Sequence, residues 1–243
     1  MPDKLSIELS DHESLHDLGK FSVILGKNGS GKSTILRLLD TQFSRKGDLV
    51  RYITPERGGT LEYQGQIDTN QSQDPSWLNG ARRSNQFNQF RQSSVSEFRR
   101  LEILVLRAIE SDAEIRESSF NFQIEIDKIN TLLDQVEIRR DAKGTFEILD
   151  VRTGNIRAAS ELSSGESELI SLAVEVLLFA YLCQMPAHKD KTNWLLMDEP
   201  DVHLHPDLQY RIVKLLAESL RTVPSARVII ATHSTSILSA MVD

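Results

Sequence analysis

Gly26-Lys27-Asn28-Gly29-Ser30-Gly31-Lys32-Ser33 is the stretch that decides the fold. It matches GxxxxGK[ST], follows the short apolar run 21–25 and opens a helical pattern at Ser33. A buried strand, a glycine-rich turn and a helix, in that order, build a loop whose backbone N–H groups turn inward onto phosphate oxygens. The glycines permit that turn. The helix start near Lys32 adds a partial positive charge. Gly26, Lys27, Asn28, Gly29, Ser30 and Gly31 are therefore expected to cradle a polyphosphate, with Thr34 in the first helical turn beyond. Lys32 is expected to reach the β- and γ-phosphates, and the Ser33 hydroxyl to ligate Mg²⁺.

A second stretch faces the same way. Leu195-Leu196-Met197-Asp198-Glu199-Pro200-Asp201 is a hydrophobic strand that ends in carboxylates. A charge at the end of a buried strand needs a counter-ion. Ligands of open α/β sheets sit at the carboxyl ends of the strands, so this strand end and the glycine loop are expected to share one site. Asp198 is expected to hold Mg²⁺ through water, and Glu199 to act on the attacking water as general base.

Outward from these stretches, buried strands alternate with helices, which argues for a mostly parallel sheet. Strands are expected at 5–9, 21–25, 49–53, 193–197 and 226–231. Helices are expected at 33–39, 165–183, 207–220 with Pro206 at its start, and 234–241. Residues 11–19 read as a polar turn. From 66 to 92 the chain is rich in Gln, Asn, Ser and Arg with little apolar periodicity, which reads as a surface insertion. Helical spacing resumes over 95–117 and again over 122–133. Residues 136–140 and 145–151 flank Asp141-Ala142-Lys143-Gly144 as a hairpin. The expected organisation is a core half at 1–65, a polar and helical insertion at 66–135, and a second core half at 136–243.

Composition excludes several classes. The chain has 243 residues, a net charge of −7 and 40% apolar residues. The acidic balance opposes charge-driven nucleic-acid binding, which needs a positive field. A local patch from Arg82, Arg83, Arg91, Arg99 and Arg100 stays open as a nucleic-acid or protein contact, beside its reading as a solvated face. A single cysteine, Cys183, leaves no disulfide framework and no Cys-based metal site. No apolar run is long enough to span a bilayer, and Met1-Pro2-Asp3-Lys4 lacks the apolar core of a signal peptide. A soluble, cytoplasmic protein is expected, with no membrane partner.

With both motifs in place, the chain resembles ABC-type ATPases. Leu162-Ser163-Ser164-Gly165-Glu166 resembles their signature motif, in the LSxGE form of SMC/Rad50-like and OLD-like (overcoming lysogenization defect) ATPases. Ala231-Thr232-His233-Ser234 resembles their switch-histidine loop. Asp198-Glu199-Pro200-Asp201-Val202-His203-Leu204-His205-Pro206 is similar to the DEPExHLHP segment of OLD-like and related bacterial ATPases. The four motifs follow the family's order, and the resemblance covers about 21–57 and 162–241.

The resemblance implies ATP and Mg²⁺ as cofactors and ATP hydrolysis as the activity. It implies a composite site across a head-to-tail homodimer. There Ser163, Ser164, Gly165 and Glu166 of one copy meet the γ-phosphate held by the other, with Asp201 at the seam. His233 would sense that phosphate and hold the attacking water. His203 and His205 read as packing residues near the seam rather than metal ligands. The family further implies a sensor and motor for an effector, of nuclease type, fused or separate, in a prokaryotic anti-phage system.

Two other readings stay open. One is an SMC/Rad50-like DNA-repair ATPase, which the absence of sustained heptads over 65–134 disfavours. The other is a transporter's ATPase subunit. That family carries a glutamine loop where this chain has Tyr52-Ile53-Thr54-Pro55-Glu56-Arg57-Gly58, similar to a P-A-E-R segment of OLD-like ATPases; Gln64 and Gln66 come later. Arg57 is a candidate phosphate or seam residue. The chain ends ten residues past His233, so it is expected to be a piece of a longer protein.

Overall fold

Trp194, Leu196, Ile229 and Ala231 pack into one apolar cluster, while Leu195, Met197, Val228 and Ile230 pack into another. This alternation along adjacent strands sets the architecture: a sheet buried on both faces. The computed structural model describes residues 5–10, 13–54, 93–118, 120–140 and 146–242. The N-terminal elements are β1 (Leu5–Ser10), β2 (Glu13–Leu18), β3 (Phe21–Leu25), α1 (Lys32–Arg45) and β4 (Leu49–Ile53). The middle holds α2 (Ser93–Ser111), α3 (Ala113–Glu117), α4 (Phe122–Asn130), β5 (Val136–Arg140), β6 (Phe146–Asp150) and β7 (Ile156–Arg157). The last part holds α5 (Ser164–Gln184), β8 (Asn193–Asp198), α6 (Pro206–Leu220), β9 (Ala226–Thr232) and α7 (Thr235–Val242).

The central sheet has the order β3-β9-β8-β4 and is parallel throughout. On one face, Val50, Tyr52, Trp194, Leu196 and Ile229 meet Leu36, Leu39 and Phe43 of α1. Trp194 stacks on Phe43 with ring centroids 4.1 Å apart, a contact worth about 1 kcal/mol beyond its area. The other face meets α5, which is buried almost all round because α2 and α6 cover the sides the sheet leaves open. That explains a helix of nearly continuous apolar sequence in a chain where no helix among the described residues is long and apolar enough to cross a membrane.

The inserted helices are packed on this core. Phe98, Leu101 and Val105 of α2 and Phe122, Ile126 and Ile129 of α4 belong to the same cluster as α5. Phe98, Phe122 and Phe146 form an aromatic trio that ties these helices to the antiparallel sheet β5-β6-β7. The helix expected over 95–117 is two helices. Asp112 breaks it, its carboxylate accepting from the N–H groups of Glu114 at 2.9 Å and Ile115 at 3.2 Å, an N-cap for α3. The hairpin at 136–150 is present as β5 paired with β6. Its turn at 141–145, and the polar stretch 66–92, lie outside the described residues.

Residues 11–19, expected to be a turn, contain β2. It pairs antiparallel with β1, joining Leu5 to Leu18 and Ile7 to Leu15. The register shifts between those pairs, and Asp17 takes φ 58 there. A bulge of this kind breaks the strict apolar alternation that marks a strand.

Cys183 is buried in the α5 layer. Burial is the largest effect on its thiol and pushes it up to about 12. Near pH 8 the native protein should therefore react with an aromatic disulfide reagent on the order of a thousandfold slower than a free thiol, because so little thiolate is present. Rapid labelling before unfolding would contradict the buried placement.

Candidate active site

The strand order sets three loops side by side at one edge of the sheet: those after β3, β9 and β8. They are laced together by backbone hydrogen bonds, Gly26 N–H to the Thr232 carbonyl at 3.2 Å and Glu199 N–H to the Ala231 carbonyl at 2.7 Å. Gly29 and Gly31 have φ of 78° and 88°, which curl the loop before α1. A Cβ on Gly26 would stand 2.6 Å from Ser30 Oγ, so a side chain there would require the Ser30 hydroxyl to move. Leu25, Gly26, Lys27, Asn28 and His233 line a concavity of about 600 Å³. Thr34 is exposed in the first turn of α1.

Lys32 is buried at the mouth of this loop. Its ammonium donates to the carbonyls of Gly26 at 2.8 Å and Lys27 at 3.1 Å, and stands 3.4 Å from Glu199 Oε1. The cation is held over the space that the loop encloses.

Asp198 is almost fully buried. Its Oδ1 accepts from Ser33 Oγ at 3.0 Å and its Oδ2 from the Tyr52 hydroxyl at 2.7 Å. Burial, and then the Asp198 charge, push the Tyr52 phenol well above its ordinary range, so it serves as a neutral donor. A hydroxyl and a carboxylate in contact, backed by a cradle of amides, are hard oxygen donors that fit Mg²⁺ beside a phosphate. Among the described residues, no group of three or more His, Cys, Asp or Glu is arranged to hold a metal by itself.

Glu199 adopts φ 46, the left-handed region that non-glycine residues rarely occupy. Its Oε1 lies 3.8 Å from Nδ1 of the exposed His233. Asp201 is buried in this chain and turned inward. It accepts from Thr232 Oγ1 and stands 3.4 Å from His233 Nδ1. Gln209 of α6 ties the two loops into one unit: its amide donates to the Leu204 carbonyl at 2.8 Å, and its oxygen accepts from Ser234 Oγ at 2.7 Å. Sequence reasoning missed Tyr52 and Gln209. Tyr52 stood one strand away from the acidic motif, and a Gln on an amphipathic helix carries no signal of its own.

Ser163 is the N-cap of α5 and forms a capping box with Glu166. The Glu166 carboxylate accepts from Ser163 N–H at 2.9 Å and Ser163 Oγ at 2.7 Å. Glu166, expected near phosphate, is occupied in this chain with closing the helix start. Ser164 is exposed there. A Cβ on Gly165 would stand 3.4 Å from the His203 carbonyl, so the signature packs closely on the loop after β8. The two histidines of that loop are exposed, His203 with φ 64 and His205 as the N-cap of α6. Ser163, Gly165, Glu166, Arg157, Asp134 and Leu208 line a concavity of about 460 Å³. It shares no lining residue with the one at the glycine loop. Of the arginines, Arg99 is exposed and Arg100 half-buried on α2; Arg57, Arg82, Arg83, Arg91, Gln64 and Gln66 lie outside the described residues.

Fold and motifs together define an ATPase domain of the AAA/ABC P-loop class. The chain belongs to the family described as "AAA domain, putative AbiEii toxin, Type IV TA system", whose model matches residues 60–239. It is 30% identical over 112 residues to a protein named "Retron Vc95 probable ATPase" from Vibrio cholerae, over 45% of this chain. It spans only 21% of that relative's length. It is 25% identical over 224 residues to a lipoprotein-releasing system ATP-binding protein of Rhodopirellula baltica, covering 90% of this chain and 71% of the relative. Among solved structures, a dimeric ATP-binding cassette in a post-hydrolysis state bound to ADP and phosphate matches with a TM-score of 0.42. That match is at 13% identity over 98% of this chain and 88% of the other.

Proposed function

We propose that the chain binds MgATP on the 26–34 loop and hydrolyses it in a site completed by the signature helix of a second copy. The observation that carries this reading is the spatial arrangement. Lys32, Ser33, Asp198, Glu199 and His233 converge at one sheet edge, while the start of α5 opens on a separate concavity of the same chain. Each copy would then offer one half-site for phosphate and one half-site for its partner.

In this mechanism Lys32 exchanges the Gly26 and Lys27 carbonyls for phosphate oxygens. Ser33 and Asp198 would hold Mg²⁺, which when bound would neutralise phosphate charge. Glu199 takes the proton of a water attacking the γ-phosphorus as the bond to ADP breaks. His233 holds that water and the γ-phosphate, oriented from behind by Asp201. The free N–H groups at the start of the second copy's α5, at its Ser164 and Gly165, face the same phosphate. Asp201 serves the seam by holding the His233 loop rather than by display.

The same reading makes the domain a sensor and motor for an effector of nuclease type, fused or separate, in a prokaryotic defence system. Three things support it: the similarity of 198–206 to OLD-like ATPases, the toxin–antitoxin system in the family's description, and a retron ATPase among the relatives.

A complementation experiment tests the shared site. Lys32→Ala removes the phosphate half-site, and Ser164→Arg blocks the signature half-site. Each variant alone should be inactive. In an equal mixture, half the dimers carry both types and each has one intact site, so phosphate release should recover to about a quarter of wild type. No recovery, with both variants folded, would mean that hydrolysis needs no partner half-site from this chain.

A further inference from the structure

Asp198 is the pivot of the magnesium half-site, and a carboxylate on a strand end has a free torsion that its neighbours must fix. Ser33 accounts for Oδ1 only. On Oδ2 the structure places Tyr52, whose hydroxyl donates at 2.7 Å from the next strand of the sheet. Tyr52 is itself held: it is buried among Leu36, Leu39, Phe43, Trp194 and Leu196, and Arg37 lies near its hydroxyl. Its ring is locked by packing, and its donor has one direction.

We infer that Tyr52 is a positioning residue for Mg²⁺: its hydroxyl clamps Asp198 Oδ2 so that Oδ1 and Ser33 Oγ face the metal together. The inference rests on the MgATP reading of the site. A serine hydroxyl that gives a lone pair to a metal can still donate its proton to Oδ1. Ser33 therefore fixes one oxygen of Asp198 and Tyr52 the other, and loss of Tyr52 would leave Oδ2 without that donor. Partners that orient a metal-binding carboxylate from behind are worth 10–100-fold in metal affinity.

The test separates metal binding from nucleotide binding. Fluorescent ADP is titrated onto wild type and Tyr52→Phe, with and without Mg²⁺, and Mg²⁺ is then titrated onto the ADP complexes. The phenylalanine keeps the ring in its pocket. Metal-free ADP binding should be unchanged, while the Mg²⁺ needed for half-maximal tightening should rise on the order of tenfold. In an Asp198→Asn background the same change should add nothing, because Tyr52 acts through Asp198.

Equal Mg²⁺ dependence in wild type and Tyr52→Phe would overturn the inference and leave the site reading intact. Equal losses of metal-free and Mg²⁺-bound ADP binding would assign Tyr52 to packing alone and overturn it too. If wild-type ADP binding ignores Mg²⁺ altogether, the MgATP reading fails and the inference falls with it.

Discussion

Glu199→Gln will stop turnover while leaving MgATP bound, and two copies of the chain will stay together. Glu199 stands at the junction of three loops, 3.4 Å from Lys32 Nζ and 3.8 Å from His233 Nδ1. Its backbone is held at φ 46, a conformation that costs of order 1–3 kcal/mol and persists where surrounding structure demands it. That demand is met by the bond from Glu199 N–H to the Ala231 carbonyl, which fixes the residue against the switch-histidine strand. Glutamine keeps the size of the side chain and one acceptor oxygen, and removes the charge and the basic oxygen that the proposed mechanism needs. A positioned general base contributes about 10²–10⁴-fold to rate, so phosphate release should fall by at least two orders of magnitude. In the proposed shared site, blocked hydrolysis would leave in place the phosphate that joins the two half-sites. Light scattering should report a doubled mass with MgATP and a monomer without it. A variant that binds MgATP and remains monomeric would sink the shared site, whatever its turnover.

The legible parts of this protein were those whose chemistry is contiguous. The glycine loop, the acidic strand end and the Ser163–Glu166 cap are each complete within a few residues, because each is a turn or helix terminus with fixed stereochemical needs. In the sheet β9 lies between β3 and β8, so the glycine loop, the His233 loop and the acidic strand end, far apart in the chain, meet at one edge, while the Ser163–Glu166 cap opens on a separate concavity. What escaped was whatever depends on register across the sheet. Tyr52 pairs with Leu196 on the neighbouring strand, and only that pairing puts its hydroxyl on Asp198, two residues further along. β2 escaped because a bulge at Asp17 moves its apolar residues out of alternation.

Asp201 illustrates a different limit. Its motif position implies a place at a subunit seam, yet in the single chain its carboxylate is taken up by Thr232 and faces His233. A motif gives a residue's position along a loop, whereas its facing follows from what packs behind it. Here Gln209 and Ser234 draw the loop inward, so the residue acts through its neighbours.

Arg51→Met should be the most damaging single change outside the nucleotide site. Arg51 lies beside Tyr52 but points to the opposite face of the sheet, where it is buried against α5 and α2. Its guanidinium donates to Glu175 Oε2 through Nε at 2.9 Å and a terminal nitrogen at 2.5 Å, and to Glu97 Oε2 at 3.0 Å. Burial opposes the charge, but Glu175 and then Glu97 more than offset it and hold the group protonated above its ordinary range. Methionine fills the volume and leaves two buried carboxylates without their shared cation. Removing one partner of a buried ion pair costs about 3–5 kcal/mol, which in a domain of this size lowers the thermal midpoint by roughly 10 °C. The triple change Arg51→Met, Glu97→Gln, Glu175→Gln should regain most of that loss, because the harm lies in uncompensated charge rather than in the lost contact. Thermal unfolding of the single and triple variants decides it. A single variant within about 1 kcal/mol of wild type would overturn the prediction, because the two carboxylates would then not depend on the Arg51 charge. A triple variant that close to wild type would show that the group's attraction only balances its desolvation. The group would then join β4, α2 and the signature helix without stabilising them.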